Sequence, residues 1–169
     1  MLPFTPAGLA IDRQALTVLR RILAAAAPQE GCALLLGRRL GPLEEAPARG
    51  RLWRVERIWP ALNVWEPVAE RRHRFQLDPR EQLLAQRWGR ERGLEVLGAA
   101  HSHPEGAPAP SATDLRLTAG PTLMAILGPP AGGGSLLEGP LACWWLAENP
   151  DDPERPPEPP RPLMWRMVD

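Results

Sequence analysis

The chain has 169 residues, no net formal charge, 44% hydrophobic and 24% charged residues, the balance of one soluble globular domain with a sizeable core. The neutral balance lacks the basic footprint of a nucleic-acid binder, and apolar runs such as Ala24 to Ala27 and Cys32 to Leu36 are far too short to span a bilayer. No charged segment followed by an apolar stretch opens the chain, so no signal peptide is expected. Cys32 and Cys143 are too few for a disulfide framework, and a reduced, cytoplasmic protein is the expectation. Every basic residue is Arg, Tyr is absent, and Ala, Pro, Gly and Trp are plentiful, which points to a GC-rich bacterial genome.

Residues 12–27 read as a helix, because Leu16, Leu19, Leu23 and Ala26 recur at helical spacing, with Asp12 as a candidate N-cap and Pro28 beyond the end. Residues 31–38 form an apolar run that reads as a buried strand, and 40–50 read as a loop. Alternation through Leu52, Trp53, Val55 and Ile58 predicts a strand over 51–59, followed by a loop at 63–72 and an extended piece at 74–77. Asp78-Pro79-Arg80-Glu81 announces a helix, with an aspartate cap, proline at the first position and a capping-box glutamate. It runs to about Arg92 and stops at Gly93. Leu94 to Ala100 reads as a central strand leading into His101-Ser102-His103-Pro104. Ser111 opens a short helix that ends by Gly120, and strands follow at 123–127 and 141–147. The Pro- and acid-rich segment 148–162 fits no regular element, and 163–168 reads as a last edge strand. The order is α-β-β-α-β-α-β-β: an α+β fold in one domain, residues 1–169, with a mixed sheet flanked by helices.

Chemistry concentrates around residues 101–114. Residues two apart on a strand face the same side, so His101 and His103 aim two imidazoles at one point where the strand meets its loop. Asp114 falls in the first turn of the helix opened by Ser111 and can turn towards that point. Two imidazoles and a carboxylate leave a fourth zinc position for water, the open arrangement of a catalytic rather than a structural site. Ser111 and Asp114 also satisfy a helix N-cap box without any metal, and both roles can hold together.

This constellation resembles a known family. His101-Ser-His103-Pro104, then residues up to Pro110, then Ser111-x-x-Asp114, is similar to the His-x-His-x7-Ser-x-x-Asp signature of the JAMM (MPN+) zinc metalloproteases, in their small bacterial single-domain form. Glu30-Gly31-Cys32-Ala33-Leu34-Leu35-Leu36-Gly37 looks like the glutamate-bearing strand that precedes that signature. Asn63, the run Arg74-Phe75-Gln76-Leu77-Asp78-Pro79 and Val96-Leu97-Gly98 add to the likeness, which spans about residues 12 to 147. The departures are Ala33, where bacterial members often have glycine, and the acidic proline-rich segment near the C-terminus.

The resemblance implies a curved mixed sheet of the cytidine-deaminase-like kind and one Zn2+ per chain, held by His101, His103 and Asp114 with water as fourth ligand. It gives Glu30 the role of general base, and Ser111 would donate to the developing oxyanion. Cys32 reads as a core thiol rather than a ligand. Trp65, in a loop, and His73, in the Arg71-Arg72-His73-Arg74 stretch where the family clamps its partner, are candidates for substrate contact. The implied substrate is a ubiquitin-like or sulfur-carrier protein with an extended Gly-Gly tail, bound by strand addition, and cleaved at an amide bond after that tail. The chain would be a monomer or homodimer. Three other readings stand beside this one: a non-catalytic MPN scaffold, a RadC-like DNA-repair-associated protein, and a zinc amidase acting on a small carrier-linked adduct.

Overall fold

A computed structural model describes residues 5–42, 51–118, 120–148 and 158–169. Of the loop expected over 40–50, residues 40–42 are instead the end of a strand and 43–50 lie outside those residues, as does most of the proline-rich segment, 149–157. The elements in chain order are β1 (Pro6–Asp12), α1 (Arg13–Ala25), β2 (Cys32–Pro42), β3 (Arg51–Ala61), a 3-10 turn (Val68–Arg72), α2 (Pro79–Arg90), β4 (Glu95–Ser102), α3 (Ala112–Leu117), β5 (Thr122–Leu127), a second 3-10 turn (Leu136–Glu138), β6 (Leu141–Leu146), β7 (Arg161–Leu163) and β8 (Trp165–Val168). The eight strands of the described residues join one sheet in the order β7-β6-β5-β4-β2-β3-β1-β8. It is mixed: β1 runs parallel to β3 and β8, and β4 parallel to β5, while the other pairs are antiparallel. This is the mixed α+β architecture expected from the pattern.

Period-two alternation along β2 divides the packing between the two faces. Ala33 and Leu35 enter the main core with Leu9, Ile11, Val55, Leu97 and Leu123. Helix α1 covers that face, and its buried residues Ala15, Leu16, Leu19 and Leu23 follow the helical repeat. Each leucine taken fully out of water contributes roughly 1.5–3 kcal/mol. On the other face Leu34 and Leu36 pack with Ala85 of α2, joined by Trp59, Leu77, Trp88, Val96 and Ala99.

Four expectations are corrected. A strand, β1, precedes the first helix, and it buries Leu9, Ala10 and Ile11 in succession, so it shows no alternation. Asp12 makes no side-chain cap bond to α1; its carboxylate instead accepts from Arg54 Nε at 2.7 Å. At α2, Asp78 does accept from the Arg80 amide with proline at the helix start, but Glu81 accepts from Trp59 Nε1 at 2.7 Å. The final strand is two. β7 pairs with β6 and β8 with β1, on opposite edges of the sheet with only Met164 between them. The sheet therefore curls until it is nearly closed, and the Trp165 indole donating to the Leu141 carbonyl at 3.0 Å bridges the gap. Among the described residues, no helix is long and apolar enough to cross a membrane.

Candidate metal centre

Strand β4 is central, and its C-terminal end carries His101, fully buried. His103 lies one residue past the strand. The pairing Cys32↔His101 between β2 and β4 brings the residues just before β2 beside the histidines. That is why Glu30, distant in sequence, belongs here. Gly31 makes the approach possible: a Cβ there would lie 2.9 Å from the Leu23 carbonyl oxygen and from Ala26 Cβ, too close for any larger residue at rest. The Gly31 amide donates to Ser102 Oγ at 2.9 Å, and the Ser102 amide donates back to the Gly31 carbonyl at 3.0 Å. Two strand ends are thereby spliced beside the site.

Asp114 arrives from the opposite side on α3. Ser111 is the N-cap in a full capping box: its amide donates to Asp114 Oδ2 at 2.7 Å, and its Oγ accepts from the Asp114 amide at 3.1 Å. The reciprocal bonds satisfy helix-start amides and fix the carboxylate.

Four side chains converge. His101 Nε2 and His103 Nε2 lie 3.0 Å apart, and Asp114 Oδ2 is 3.4 Å from the first and 3.5 Å from the second. Glu30 Oε1 is 3.9 Å from His103 Nε2. Glu30, His101 and His103 present donor atoms all within 4.8 Å of one another, so they are placed to hold a metal ion. The Asp114 set is tighter than the Glu30 set. Tetrahedral zinc with bonds of about 2.0–2.1 Å sets its ligand atoms roughly 3.3 Å apart, which is the spacing of the two imidazoles and Asp114. His103 Nδ1 lies 2.7 Å from the Ala107 carbonyl. In the neutral imidazole a proton on Nδ1, donated there, leaves Nε2 with its lone pair, as a metal ligand requires. The donor set of two imidazoles with a carboxylate suits zinc, and equally other first-row divalent metals.

The electrostatics follow from enclosure. Burial pushes the Glu30 carboxyl up to about 8, His103 opposing the rise and Asp114 adding to it. Burial lowers His101. Burial works against charge on His103 too, but Asp114, the Ala107 carbonyl and Glu30 outweigh it and raise this group. For Asp114 burial favours the neutral form, yet the two imidazoles hold it well below the usual carboxylate range. Cys32 is pushed up to about 12 by burial and by Glu30, an inert core thiol at neutral pH.

A cleft of about 500 Å3 opens beside the centre, with Asp114 among its lining residues and Trp65, Phe75, Leu77, Leu117 and Met124 as its apolar walls. Of the two residues singled out for substrate contact, Trp65 lines this cleft. His73 does not; it is 68% exposed, 3.9 Å from Glu105. Sequence reading missed Ser102, which stood inside the histidine motif but showed no sign of its bond to Gly31. It also gave Asn63 no role. Asn63 Nδ2 donates to the Glu30 carbonyl at 3.0 Å and to the Arg74 carbonyl at 2.8 Å, and its Oδ1 accepts from the Trp65 and Gln76 amides, each at 3.1 Å.

Known proteins bear on this geometry in two ways. The solution structure of a protein from Desulfitobacterium hafniense is similar over 95% of this chain and 93% of its own, with a TM-score of 0.73 at 24% identity, a likeness of fold. A solution structure from Salinibacter ruber is 28% identical over 88% of this chain and 95% of its own, with a TM-score of 0.53. None of the curated proteins matches. The model of the prokaryotic homologues of the JAB domain matches residues 12–147, a span that holds Glu30, both histidines, Ser111 and Asp114, and the chain belongs to that family.

Proposed function

We infer that the protein is a zinc-dependent peptidase or isopeptidase in which His101, His103 and Asp114 hold the metal and Glu30 is the general base. The observation that carries this reading is the spacing of three buried or nearly buried donor atoms, 3.0, 3.4 and 3.5 Å, with Glu30 standing just outside them at 3.9 Å. When bound, zinc would polarise the substrate carbonyl and make a water acidic enough to attack near neutral pH. The chain's own residues do the rest. Glu30, standing beside the metal position, would take a proton at its carboxylate and return it to the leaving amine. Ser111 accepts from the Asp114 amide through Oγ, and its hydroxyl proton remains to be donated to a developing oxyanion.

The substrate we favour is a ubiquitin-like or sulfur-carrier protein cut after its Gly-Gly tail. A tail bound in extended form suits a narrow approach to a strand-end site, since glycine lets the backbone come close. A reducing cytoplasmic compartment fits the two buried free cysteines, Cys32 and Cys143. The test is incubation of the protein with carrier proteins from the same genome bearing extensions after Gly-Gly. Chelator-sensitive release, restored by zinc and absent in Asp114→Asn, is the expected result. A purified protein that holds no zinc and releases nothing from any such carrier would overturn the reading.

A further inference from the structure

The two histidines are held in different ways. His103 has its second ring nitrogen fixed by the Ala107 carbonyl. His101 Nδ1 is buried and has no hydrogen-bond partner among the described residues. A ligating histidine ordinarily has its distal nitrogen tied to a carboxylate, carbonyl or water, and that bond sets the ring plane and the tautomer. Without it, packing alone must choose the broad second side-chain torsion of His101.

Phe75 provides that packing. Its ring lies over the His101 imidazole with centroids 4.2 Å apart and planes within 20°. Cys32 and Ile126, the partners of His101 on the neighbouring strands, flank it on the sheet. Phe75 is not carried by a strand of the main sheet, so its own position needs an anchor, and Asn63 supplies one. Asn63 accepts from the amide of Gln76 and donates to the carbonyl of Arg74, gripping the backbone on both sides of Phe75, and it bridges to Leu77. The same Nδ2 donates to the Glu30 carbonyl. One amide side chain thus ties the segment that supports His101 to the residue just outside the metal ligands.

We propose that Phe75 is a positioning residue of the metal centre, its ring stack holding the His101 imidazole in ligating orientation in place of the missing Nδ1 hydrogen bond. The proposal rests on the metal-binding reading above, but the substitution series separates the two.

The measurement is zinc affinity of the full chain by competition with a chromophoric chelator, with the visible spectrum of the Co2+-loaded protein as a report on ligand geometry. Metal-free melting temperatures accompany both. Phe75→Leu keeps apolar bulk but removes the flat ring, and should weaken zinc by roughly 10–100-fold, the usual effect of losing a group that orients a ligand, and shift the Co2+ bands. Phe75→Tyr keeps the ring and should stay close to the parent in both. Phe75→Met is the second ring-less variant should the leucine form fail to fold. A folded Leu or Met variant that binds zinc as tightly as the parent, with the parent's Co2+ spectrum, overturns the proposal. So does an equal loss in the Tyr variant. A parent chain that binds no zinc overturns the metal-binding reading itself.

Discussion

Ser111 and Asp114 hold each other at both ends: the Ser111 amide donates to Asp114 Oδ2 at 2.7 Å, and Ser111 Oγ accepts from the Asp114 amide at 3.1 Å. The carboxylate oxygen so gripped is the one that lies 3.4 and 3.5 Å from the two imidazole nitrogens. A common helix start therefore doubles as the fixture of a metal ligand. Ser111→Ala should lower stability by about 1 kcal/mol through the lost cap. It should also weaken zinc, because the helix start that carries Asp114 loosens, but by less than a lost ligand contact would, since the Ser111 backbone amide that grips the carboxylate remains. Turnover should fall further, by about 10²–10³, if Oγ also serves the oxyanion. Ser111→Thr should recover much of all three. An alanine variant with unchanged melting temperature and zinc affinity would show that the pair does not hold Asp114 in place.

Which carboxylate binds the metal is decided by two variants. Glu30 lies near enough to His103 to complete a three-residue metal cluster with the histidines, but the Asp114 oxygen sits at the spacing that tetrahedral zinc imposes. Glu30→Gln should keep near-parent zinc content and lose about 10²–10⁴-fold in rate, the worth of a positioned general base. Asp114→Asn should lose both metal and activity. The reverse pattern, zinc lost with Glu30→Gln and kept with Asp114→Asn, would make Glu30 the ligand and remove it as the base.

Stability of the metal-free protein should depend on pH through Glu30. Its folded carboxyl is raised from an ordinary value of 4.5 to about 8, by burial first. A carboxyl whose folded value is raised binds its proton more tightly when folded than when unfolded. The resulting stability is fully present below about 4.5 and is lost as pH climbs through about 8. Chelator-treated parent protein should therefore melt progressively lower from pH 5 to pH 9. Glu30→Gln, which cannot ionise, should lack that component and melt above the parent at the alkaline end. Thermal denaturation of both across this range gives the answer; parallel curves would mean that Glu30 is not desolvated in the folded chain.

Much of this centre was legible because its signals are local. His101 and His103 are two apart, and Ser111 and Asp114 are three apart, spacings that secondary structure converts directly into shared direction. Glu30 was legible only through family likeness, since what brings it in is the cross-strand pairing of Cys32 with His101. Phe75 over His101 and Asn63 beneath Phe75 are tertiary relations, for which no periodicity exists to be read. The same holds for the fold. Strand β1 hid because Leu9, Ala10 and Ile11 are all buried, which erases alternation. The split of β7 from β8 at Met164 is visible only when both edges of the curled sheet are present.

The splice between Gly31 and Ser102 offers the last test, because it ties the residue after Glu30 to the residue between the two histidines. Ser102 is fully buried and its Oγ accepts from the Gly31 amide at 2.9 Å. Removing the oxygen in Ser102→Ala leaves that enclosed amide without its acceptor, a loss of about 1–3 kcal/mol. Gly31 immediately follows Glu30, so a slack backbone there should tell on proton transfer more than on metal binding. Gly31→Ala acts on the same point from the other side, since its Cβ would press on the Leu23 carbonyl oxygen at 2.9 Å and force α1 or the strand to shift. Overpacking of this kind costs roughly 1–3 kcal/mol. Both variants should lower kcat while zinc content in the folded fraction stays near the parent's. The expected contrast is with Asp114→Asn, which should empty the site. If Ser102→Ala and Gly31→Ala instead lost zinc in step with activity, the splice would be holding the histidines rather than the base.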